Sequence, residues 1–430
     1  MGSTDENQNN QNGESRQGGS SMMSSADCQS VRLETERSGA LEEASKIMNK
    51  AANVQDYELT STIMSTTMSE SSNGDGMSSP PSISSSGSFI FTGTGSAIPC
   101  KHRNVTGMYV EMKDSKGMLL DVGEGTLGQL IRSWKSTYRS DGDDDASFAK
   151  YVQKCITNIK FVWISHPHAD HHLGILRFLT QRNAILLQAR PSGIGNDDRV
   201  VVMTSKQILH FLDEYSRIDP TIYEGYIAVD NRDALPDLPE NTELNTMLNA
   251  KLGITSILTV PVSHCYQSFA AVIDGTSFGR LVYSGDCRPS DYLVRVGNGA
   301  DLLVHEATFE DGMEEEAVLK MHSTVSEALS VAKRMGAKAC VLTHFSQRYP
   351  RIAPLCEEDA QLPFPVAFAF DFMKITPDNI ALASNLTSSL RLLYPDDEME
   401  DEKEEMDETK RKAQAILSTP GLFANIHCKN

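Results

Sequence analysis

Residues 165–172, Ser165-His166-Pro167-His168-Ala169-Asp170-His171-His172, place four histidines and an aspartate directly after the apolar run 159–164. A strand that ends here and a helix that begins here would project several of these side chains into one small volume. Three imidazoles and a carboxylate at H-x-H-x-D-H spacing suit a borderline metal such as zinc. Packed without a metal, they would crowd cationic or unsatisfied groups, so the segment predicts a metal site.

Three later β-rich runs also end in a histidine or an aspartate: His264, Asp286 and His344. Strand ends that converge on one sheet edge are where open α/β folds bind their ligands. Together with the first segment they offer ligands for two metal ions, which favours hydrolysis, above all of phosphoesters. The predicted ligands are His166, His168, Asp170, His171, His264, Asp286 and His344, with Asp286 as the bridge.

The chain divides into three predicted parts by composition. Residues 1–87 are rich in Ser, Gly, Asn and Gln and predict a disordered, low-complexity leader. Residues 88–394 have the alternating strand and helix signals of an α/β catalytic domain. Residues 395–430 form a charged tail with an acidic block, which predicts a solvated segment. The formal net charge of −19 argues against a simple basic nucleic-acid binder.

The cysteines and the chain start suggest a reducing compartment. None of the eight cysteines forms a C-x-x-C pair, which argues against a zinc ribbon or a thioredoxin-like motif. Several lie in apolar strand-like runs, such as the one around Cys340, where a buried reduced thiol is expected. No apolar run approaches the roughly 18 residues that span a bilayer, so no membrane partner is expected. The first residues lack both a signal peptide and an Arg-rich transit pattern. We therefore expect the nucleus or the cytoplasm, with an organelle left open.

Further motifs resemble one known family. These are FTGTGSAIPCKHRNVTGMYV (91–110), LLDVGEGTLGQL (119–130), His305-Glu306-Ala307-Thr308 and His322-Ser323-Thr324. They are similar to those of ribonuclease Z, an endonuclease of the metallo-β-lactamase superfamily that removes the 3′ trailer from precursor tRNA. The resemblance implies an α/β fold, the αββα sandwich, with two zinc ions at one edge. Manganese or magnesium are the expected substitutes.

The resemblance also implies roles for single residues. One ion would be held by His166, His168, His264 and Asp286, and the other by Asp170, His171, Asp286 and His344. Asp170 would be the general base, and the Glu306–His322 pair would protonate the leaving 3′-oxygen. From their position beside Gly-rich or ligand-bearing turns, the residues predicted to contact the RNA are Lys101, Arg103, Asn104 and Arg348.

One departure from the family concerns the grip on RNA. Short forms carry a protruding arm between the ligands that match His264 and Asp286, but residues 265–285 have room only for two strands and a turn. The chain therefore resembles the C-terminal catalytic half of a long form. Its grip on precursor tRNA would come from an arm-bearing partner chain, a homodimer, or else the leader or an insertion at 181–255. The alternatives are another hydrolase of this fold acting on small esters or phosphodiesters, or a non-catalytic partner subunit.

Overall fold

The computed structural model describes residues 87–138, 145–348 and 362–381. The predicted leader (apart from Gly87) and the predicted acidic tail lie outside these residues. The described strands are β1 (Ser88–Gly93), β2 (Gly107–Glu111), β3 (Gly117–Val122), β4 (Ile159–Trp163), β5 (Val200–Thr204), β6 (Tyr226–Asp230), β7 (Ser256–Pro261), β8 (Phe269–Thr276), β9 (Gly279–Tyr283), β10 (Leu302–Glu306), β11 (Cys340–Thr343), β12 (Val366–Phe368) and β13 (Lys374–Ile375).

The described helices connect these strands or follow them. They are α1 (Thr126–Thr137), α2 (Asp145–Asn158), α3 (Ala169–His172), α4 (Ile175–Ala189), α5 (Lys206–Ser216), α6 (Thr221–Glu224), α7 (Thr242–Leu252), α8 (Asp291–Val296), α9 (Glu314–Lys320) and α10 (Val325–Met335). Within the described ranges, no helix is both long enough and apolar enough to cross a membrane.

Two mixed sheets form the body of the domain. The first has the strand order β13-β1-β2-β3-β4-β5-β6, and the second has the order β12-β11-β10-β9-β8-β7. Strands β3 to β6 are parallel to one another, and so are β9 to β12. Strand β7 is antiparallel to β8, which is antiparallel to β9, so β7 and β9 end at the same edge.

Apolar side chains from both sheets meet in one inner core, which includes Phe91, Phe161, Trp163, Leu281 and Val341. The outer face of the first sheet is covered by apolar residues of α1, α2, α4, α5 and α6. The outer face of the second sheet is covered by α8 and α10. Each fully buried large apolar side chain contributes about 1.5–3 kcal/mol to folding. The layers are therefore helix, sheet, sheet and helix, as the α/β prediction requires.

The segment after the metal-ligand motif is helical, as its periodicity predicts, but it is broken at Gly174. Only glycine fits at this position, since a Cβ on Gly174 would lie 2.3 Å from the carbonyl oxygen of Gly123. The backbone N–H of Gly174 donates to the carbonyl of Val122. This close approach ties the short helix α3 to the end of β3.

The interpretation of 181–255 as an insertion is wrong. Residues in this range complete α4 and add β5 and β6 to the first sheet. Helix α7 packs Leu244, Leu248 and Leu252 into the core between the sheets. Because all these elements bury apolar surface within the fold, the segment is part of the domain itself.

Candidate metal centre

The side chains predicted to bind metal come from strand ends at one edge of the sandwich. His166 follows β4, His264 follows β7 and Asp286 follows β9. His344 follows β11, which runs parallel to β10 and β9. The short helix α3 supplies Asp170 and His171. Parallel strands end at the same edge, and for this reason residues far apart in sequence meet here.

Three histidines form a first group of donor atoms. His168 Nδ1 lies 3.0 Å from His166 Nε2 and 3.1 Å from His264 Nε2. Burial lowers the pKa of all three imidazoles below the ordinary histidine value. They are therefore neutral near pH 7, the form that binds a metal ion.

A second group joins a carboxylate and two imidazoles. Asp170 Oδ2 lies 3.4 Å from His171 Nε2 and 3.5 Å from His344 Nε2. The three donor atoms are close enough together to hold one metal ion. Burial disfavours the charged form of Asp170, but the charge of His171 outweighs it and holds the carboxyl pKa far below its usual range.

Asp286 lies between the two groups and contacts both with the same oxygen. Its Oδ2 atom is 3.6 Å from His166 Nε2 and 3.7 Å from His264 Nε2 in the first group. The same atom is 3.2 Å from His171 Nε2 and 3.3 Å from His344 Nε2 in the second. One carboxylate oxygen thus stands where it can contribute to two neighbouring metal positions.

Several of these donors are buried without a hydrogen-bond partner among the described residues. They are His171 Nε2, His344 Nε2 and Asp286 Oδ1, on side chains that are 2% exposed or less. A buried polar atom that makes no hydrogen bond costs about 1–3 kcal/mol. Metal binding would remove that cost, so the residues fit a metal ion, and this cluster can hold one.

Residues behind the cluster orient its imidazoles, as outer-shell partners of metal-binding histidines do. Asp121 Oδ2 lies 2.7 Å from His171 Nδ1, and this carboxylate also accepts hydrogen bonds from the Tyr283 hydroxyl and from the backbone N–H of Ser165. The carbonyl of Met321 lies 3.0 Å from His264 Nδ1. In each case the Nε2 atom is left to face the cluster.

The sequence interpretation missed Asp121, although the motif 119–130 contains it. One signal was available in the sequence, namely a single aspartate inside the otherwise apolar run 117–122, and the structure shows that all residues of this strand are buried. Asp121 and His344 both have left-handed backbones, with φ of 53° and 63°. Residues other than glycine avoid this region, and such strain is concentrated at functional sites.

The predicted Glu306–His322 pair is present beside the cluster. Glu306 is buried, and its Oε1 lies 2.8 Å from His322 Nδ1. Glu306 Oε2 accepts the hydroxyl of Thr308, whose Oγ1 is also 2.8 Å from His344 Nδ1. Burial opposes ionisation of His322, but the charge and hydrogen bond of Glu306 outweigh it and raise the His322 pKa to about 9.

Comparison with known proteins agrees with this geometry. A family model described as a beta-lactamase superfamily domain matches residues 223–345. The chain is 35% identical over 339 residues to "Zinc phosphodiesterase ELAC protein 2" of Rattus norvegicus, covering 78% of this chain and 38% of the relative. It is 35% identical over 340 residues to "Ribonuclease Z 1" of Schizosaccharomyces pombe, covering 75% of this chain and 39% of the relative. The chain is a homologue of ribonuclease Z.

The fold of this ribonuclease Z homologue is also found in a solved structure. A long-form RNase Z from yeast superposes with a TM-score of 0.61 at 26% sequence identity. The match covers 72% of this chain and 45% of the yeast chain. The chain spans less than half the length of the curated relatives that it matches. The prediction of a metallo-β-lactamase fold is confirmed.

The structure contradicts the prediction that Arg103 of this homologue contacts RNA. Arg103 is 1% exposed, and its guanidinium donates to Thr94 Oγ1 and to the carbonyl of Ala369. The same group lies over the rings of Phe345 and Phe370 at 4.4 and 4.2 Å. Because its guanidinium is enclosed by these contacts, Arg103 stabilises the loop that follows β1 and exposes almost no surface for a phosphate.

The other three predicted RNA contacts lie nearer the surface. Lys101 and Arg348 are exposed, whereas Asn104 is half-buried and its amide donates to the carbonyl of Glu124. Lys101 and Asn104 line a cleft of about 640 Å³ with Gln129 and Arg132. The loop that contributes Lys101 to this cleft also contacts the metal-donor side chains, since the backbone N–H of Ala97 donates to Asp170 Oδ2 at 2.7 Å.

Residues 265–285 form the predicted two strands and a turn, since β8 and β9 pair as an antiparallel hairpin.

His172, the fourth histidine of the motif, points away from the donor groups. Its Nδ1 lies 2.9 Å from the carbonyl of His168, and its ring contacts Phe211.

Proposed function

We propose that this ribonuclease Z homologue is a zinc-dependent phosphodiesterase that removes the 3′ trailer from precursor tRNA. The observation that carries the proposal is the position of Asp286 Oδ2, within 3.7 Å of donor atoms in both groups. Enzymes with two neighbouring metal ions use them to stabilise the attacking and leaving oxygens of a phosphodiester. The name of one relative, "Zinc phosphodiesterase ELAC protein 2", supports the choice of zinc, and that of another, "tRNAse Z TRZ4, mitochondrial" of Arabidopsis thaliana, supports a tRNA substrate.

Two zinc ions per chain are the expected content. His166, His168, His264 and Asp286 would hold one ion, and Asp170, His171, His344 and Asp286 would hold the other. When bound, zinc supplies Lewis-acid stabilisation of the charge that develops on the phosphate oxygens. Nitrogen and carboxylate donors suit zinc, and manganese or magnesium would be substitutes because such sites are not strictly selective.

Asp170 is the proposed general base. Its carboxylate lies within 3.5 Å of two imidazole donors of the second group, and the backbone N–H of Ala97 donates to the same oxygen. A carboxylate held in this way can accept the proton of the attacking water and still act as a ligand. This double role makes Asp170 the residue whose loss should reduce cleavage most.

His322 is the proposed general acid, and Glu306 positions it. The hydrogen bond from His322 Nδ1 to Glu306 leaves Nε2 to donate to the leaving 3′-oxygen. Glu306 is itself held by the backbone N–H groups of Cys287 and Thr308. With both oxygens occupied, Glu306 is suited to orient the imidazole and unsuited to react directly.

Lys101, Asn104 and Arg348 are the proposed contacts to the RNA backbone. They offer few cationic groups, so the chain should depend on an arm-bearing partner chain or on a homodimer to hold tRNA tightly.

We place this activity in the nucleus or the cytoplasm, although a relative from Drosophila melanogaster is named "Ribonuclease Z, mitochondrial".

The test combines metal analysis with one cleavage assay. Purified protein is incubated with a precursor tRNA that carries a 3′ trailer, with and without a chelator, and the product ends are mapped. We expect cleavage at the start of the trailer, its loss with chelator, and its return when zinc is added. Cleavage of small phosphodiesters but of no precursor tRNA, even with an arm-bearing partner, would refute the tRNA assignment.

The motif offers a matched pair of variants for this assay. His171→Ala removes a proposed ligand, and His172→Ala removes the next residue, which contacts Phe211 instead. We expect His171→Ala to lose metal and cleavage, while His172→Ala keeps both. Equal losses in the two variants would show that the segment acts through folding alone.

A further inference from the structure

A second cleft, of about 410 Å³, lies at the opposite end of β4 from the metal-donor side chains. Its lining includes Lys116, Lys160, Lys251 and Asp197. Lys160 is the second residue of β4, and His166 lies six residues further along the chain. At about 3.3 Å per residue the two are separated by about 20 Å, so the cleft is distinct from the metal cluster.

Buried or half-buried cations lie beneath this cleft. The guanidinium of Arg182, on α4, is fully buried and donates through Nη2 to the carbonyls of Thr157 and Asp198. The amine of Lys160 donates to the same Thr157 carbonyl at 2.8 Å. Because they share an acceptor, these two cations are close neighbours. Among the described residues, Arg182 Nε and Nη1 find no hydrogen-bond partner.

Lys251 reaches the same place from the end of α7. Its amine donates to the carbonyls of Asn196, Asp197 and Arg199, at 3.4, 3.1 and 3.0 Å. Together with the Asp198 carbonyl that Arg182 contacts, four consecutive carbonyls of one turn face two cations. Carbonyl dipoles hold such cations in position but leave their full charges unneutralised.

The carboxylates nearby do not balance these charges. Asp114 is paired with Lys116 at 2.8 Å, and Asp198 is paired with Arg190 at 3.0 Å. Of the described carboxylates around the cleft, Asp197 acts on Lys251, and Asp198, which is already paired with Arg190, acts on Lys160, Arg182 and Lys251. Burial and the charge of Arg182 lower the pKa of Lys160 to about 8. Partly buried charges usually have a counter-ion, and here three cations share two carboxylates, one of which also pairs with Arg190, so positive charge is in excess.

We propose that this cleft binds a phosphate group, which Lys160 and Lys251 would contact above the charge of Arg182, with Lys116 at the rim. An anion there would offset the excess positive charge of these three cations, and the space is large enough for a pyrophosphate. The phosphate could belong to a free phosphate ion or to an RNA backbone, and the chemistry of recognition is the same. The site is independent of the proposed nuclease activity.

Competitive acetylation of lysines, read residue by residue by mass spectrometry, tests this proposal on the metal-loaded full chain. One arm adds pyrophosphate, a second adds a short single-stranded oligoribonucleotide, and a third adds chloride at equal ionic strength. A bound anion that raises the pKa of Lys160 by one unit would slow its labelling about tenfold. We expect Lys160 and Lys251 to be protected by pyrophosphate, by RNA, or by both, and not by chloride.

Lys338 is the internal control, since it is 71% exposed and pairs with Asp301 away from this cleft. Its labelling should not change in any arm. A second measurement uses Lys160→Met, which keeps the aliphatic volume of the side chain and removes its charge. This variant should lose the protection of Lys251. The proposal is overturned if neither phosphate arm protects Lys160, if Lys338 is protected equally, or if Lys251 stays protected in Lys160→Met.

Discussion

Substitution of Asp121 by asparagine should weaken metal binding in the second donor group selectively. Asp121 is fully buried, and four donors converge on its two oxygens: the backbone N–H and hydroxyl of Ser165, the Tyr283 hydroxyl and His171 Nδ1. An asparagine has one oxygen and one NH₂ group in the same space. Whichever way its amide is turned, at least one donor faces another donor.

The magnitude follows from these contacts. The least disruptive orientation keeps the amide oxygen on His171, Tyr283 and the Ser165 hydroxyl, and leaves the Ser165 N–H unsatisfied. An unsatisfied buried donor costs about 1–3 kcal/mol of folding stability. His171 also exchanges a carboxylate partner for a neutral amide, and loss of such a partner lowers metal affinity about 10–100-fold. The ion near His166, His168 and His264 should be much less affected.

The assay is dialysis of the zinc-loaded protein against a graded series of chelator concentrations, followed by elemental analysis. We expect Asp121→Asn to pass through a state with one zinc per chain at chelator concentrations where the unmodified chain keeps two. Asp371→Asn is the control, because its carboxylate accepts hydrogen bonds from Thr94 and Asn104 and lies outside the metal-donor groups described above. Unchanged retention of both ions in Asp121→Asn would refute the role assigned to Asp121.

Three further predictions concern cleavage and RNA binding. His322→Ala should keep its metal by elemental analysis but lose about 10²–10⁴-fold in kcat, the usual value of a positioned acid; loss of metal instead would make His322 a ligand. Asp170→Ala should abolish cleavage while RNA binding, measured by filter retention, falls much less; proportional losses in both would contradict its role as base. Tyr266, which is 74% exposed two residues after His264, should stack on a base near the cleavage point. Tyr266→Ala should therefore weaken binding of single-stranded RNA by about 1–3 kcal/mol, which is a rise of about 5–150-fold in Kd. Tyr223→Ala, at a tyrosine that is 64% exposed on α6, should leave that Kd unchanged, and equal effects would exclude stacking at Tyr266.

The hairpin at 265–285 leads to a prediction about the partner. Supplying an arm-bearing chain should lower KM for precursor tRNA much more than it changes kcat, because contacts remote from the cleaved bond bind ground and transition states alike. Steady-state kinetics at several salt concentrations would show this, and the salt dependence of KM should be steep without the partner. Tight processing of precursor tRNA by the isolated monomer would contradict this prediction.

The sequence by itself predicted where the metal-donor side chains lie, because the residues that indicate them are close together in the chain or follow an apolar run. In His166, His168, Asp170 and His171 the spacing alone brings the donors to one turn, and an apolar run before each later ligand indicates a strand end. Parallel strands then deliver those ends to one edge whatever the details of packing. The same local reasoning correctly limited residues 265–285 to a hairpin.

Only the tertiary structure shows which polar residues contact the metal-donor side chains and which are buried away from them. Arg103 lies in a motif rich in polar residues, yet its guanidinium is held by Ala369, which is 266 residues away. Asp121 accepts a hydrogen bond from Tyr283, which lies 162 residues later in the chain. Lys160 and Arg182 donate to the same carbonyl, that of Thr157, and neither spacing nor composition predicts this shared contact. The physical reason is that burial and pairing of a long side chain depend on how distant elements pack. Packing is a property of the whole fold, and no local pattern in this sequence predicts these long-range contacts.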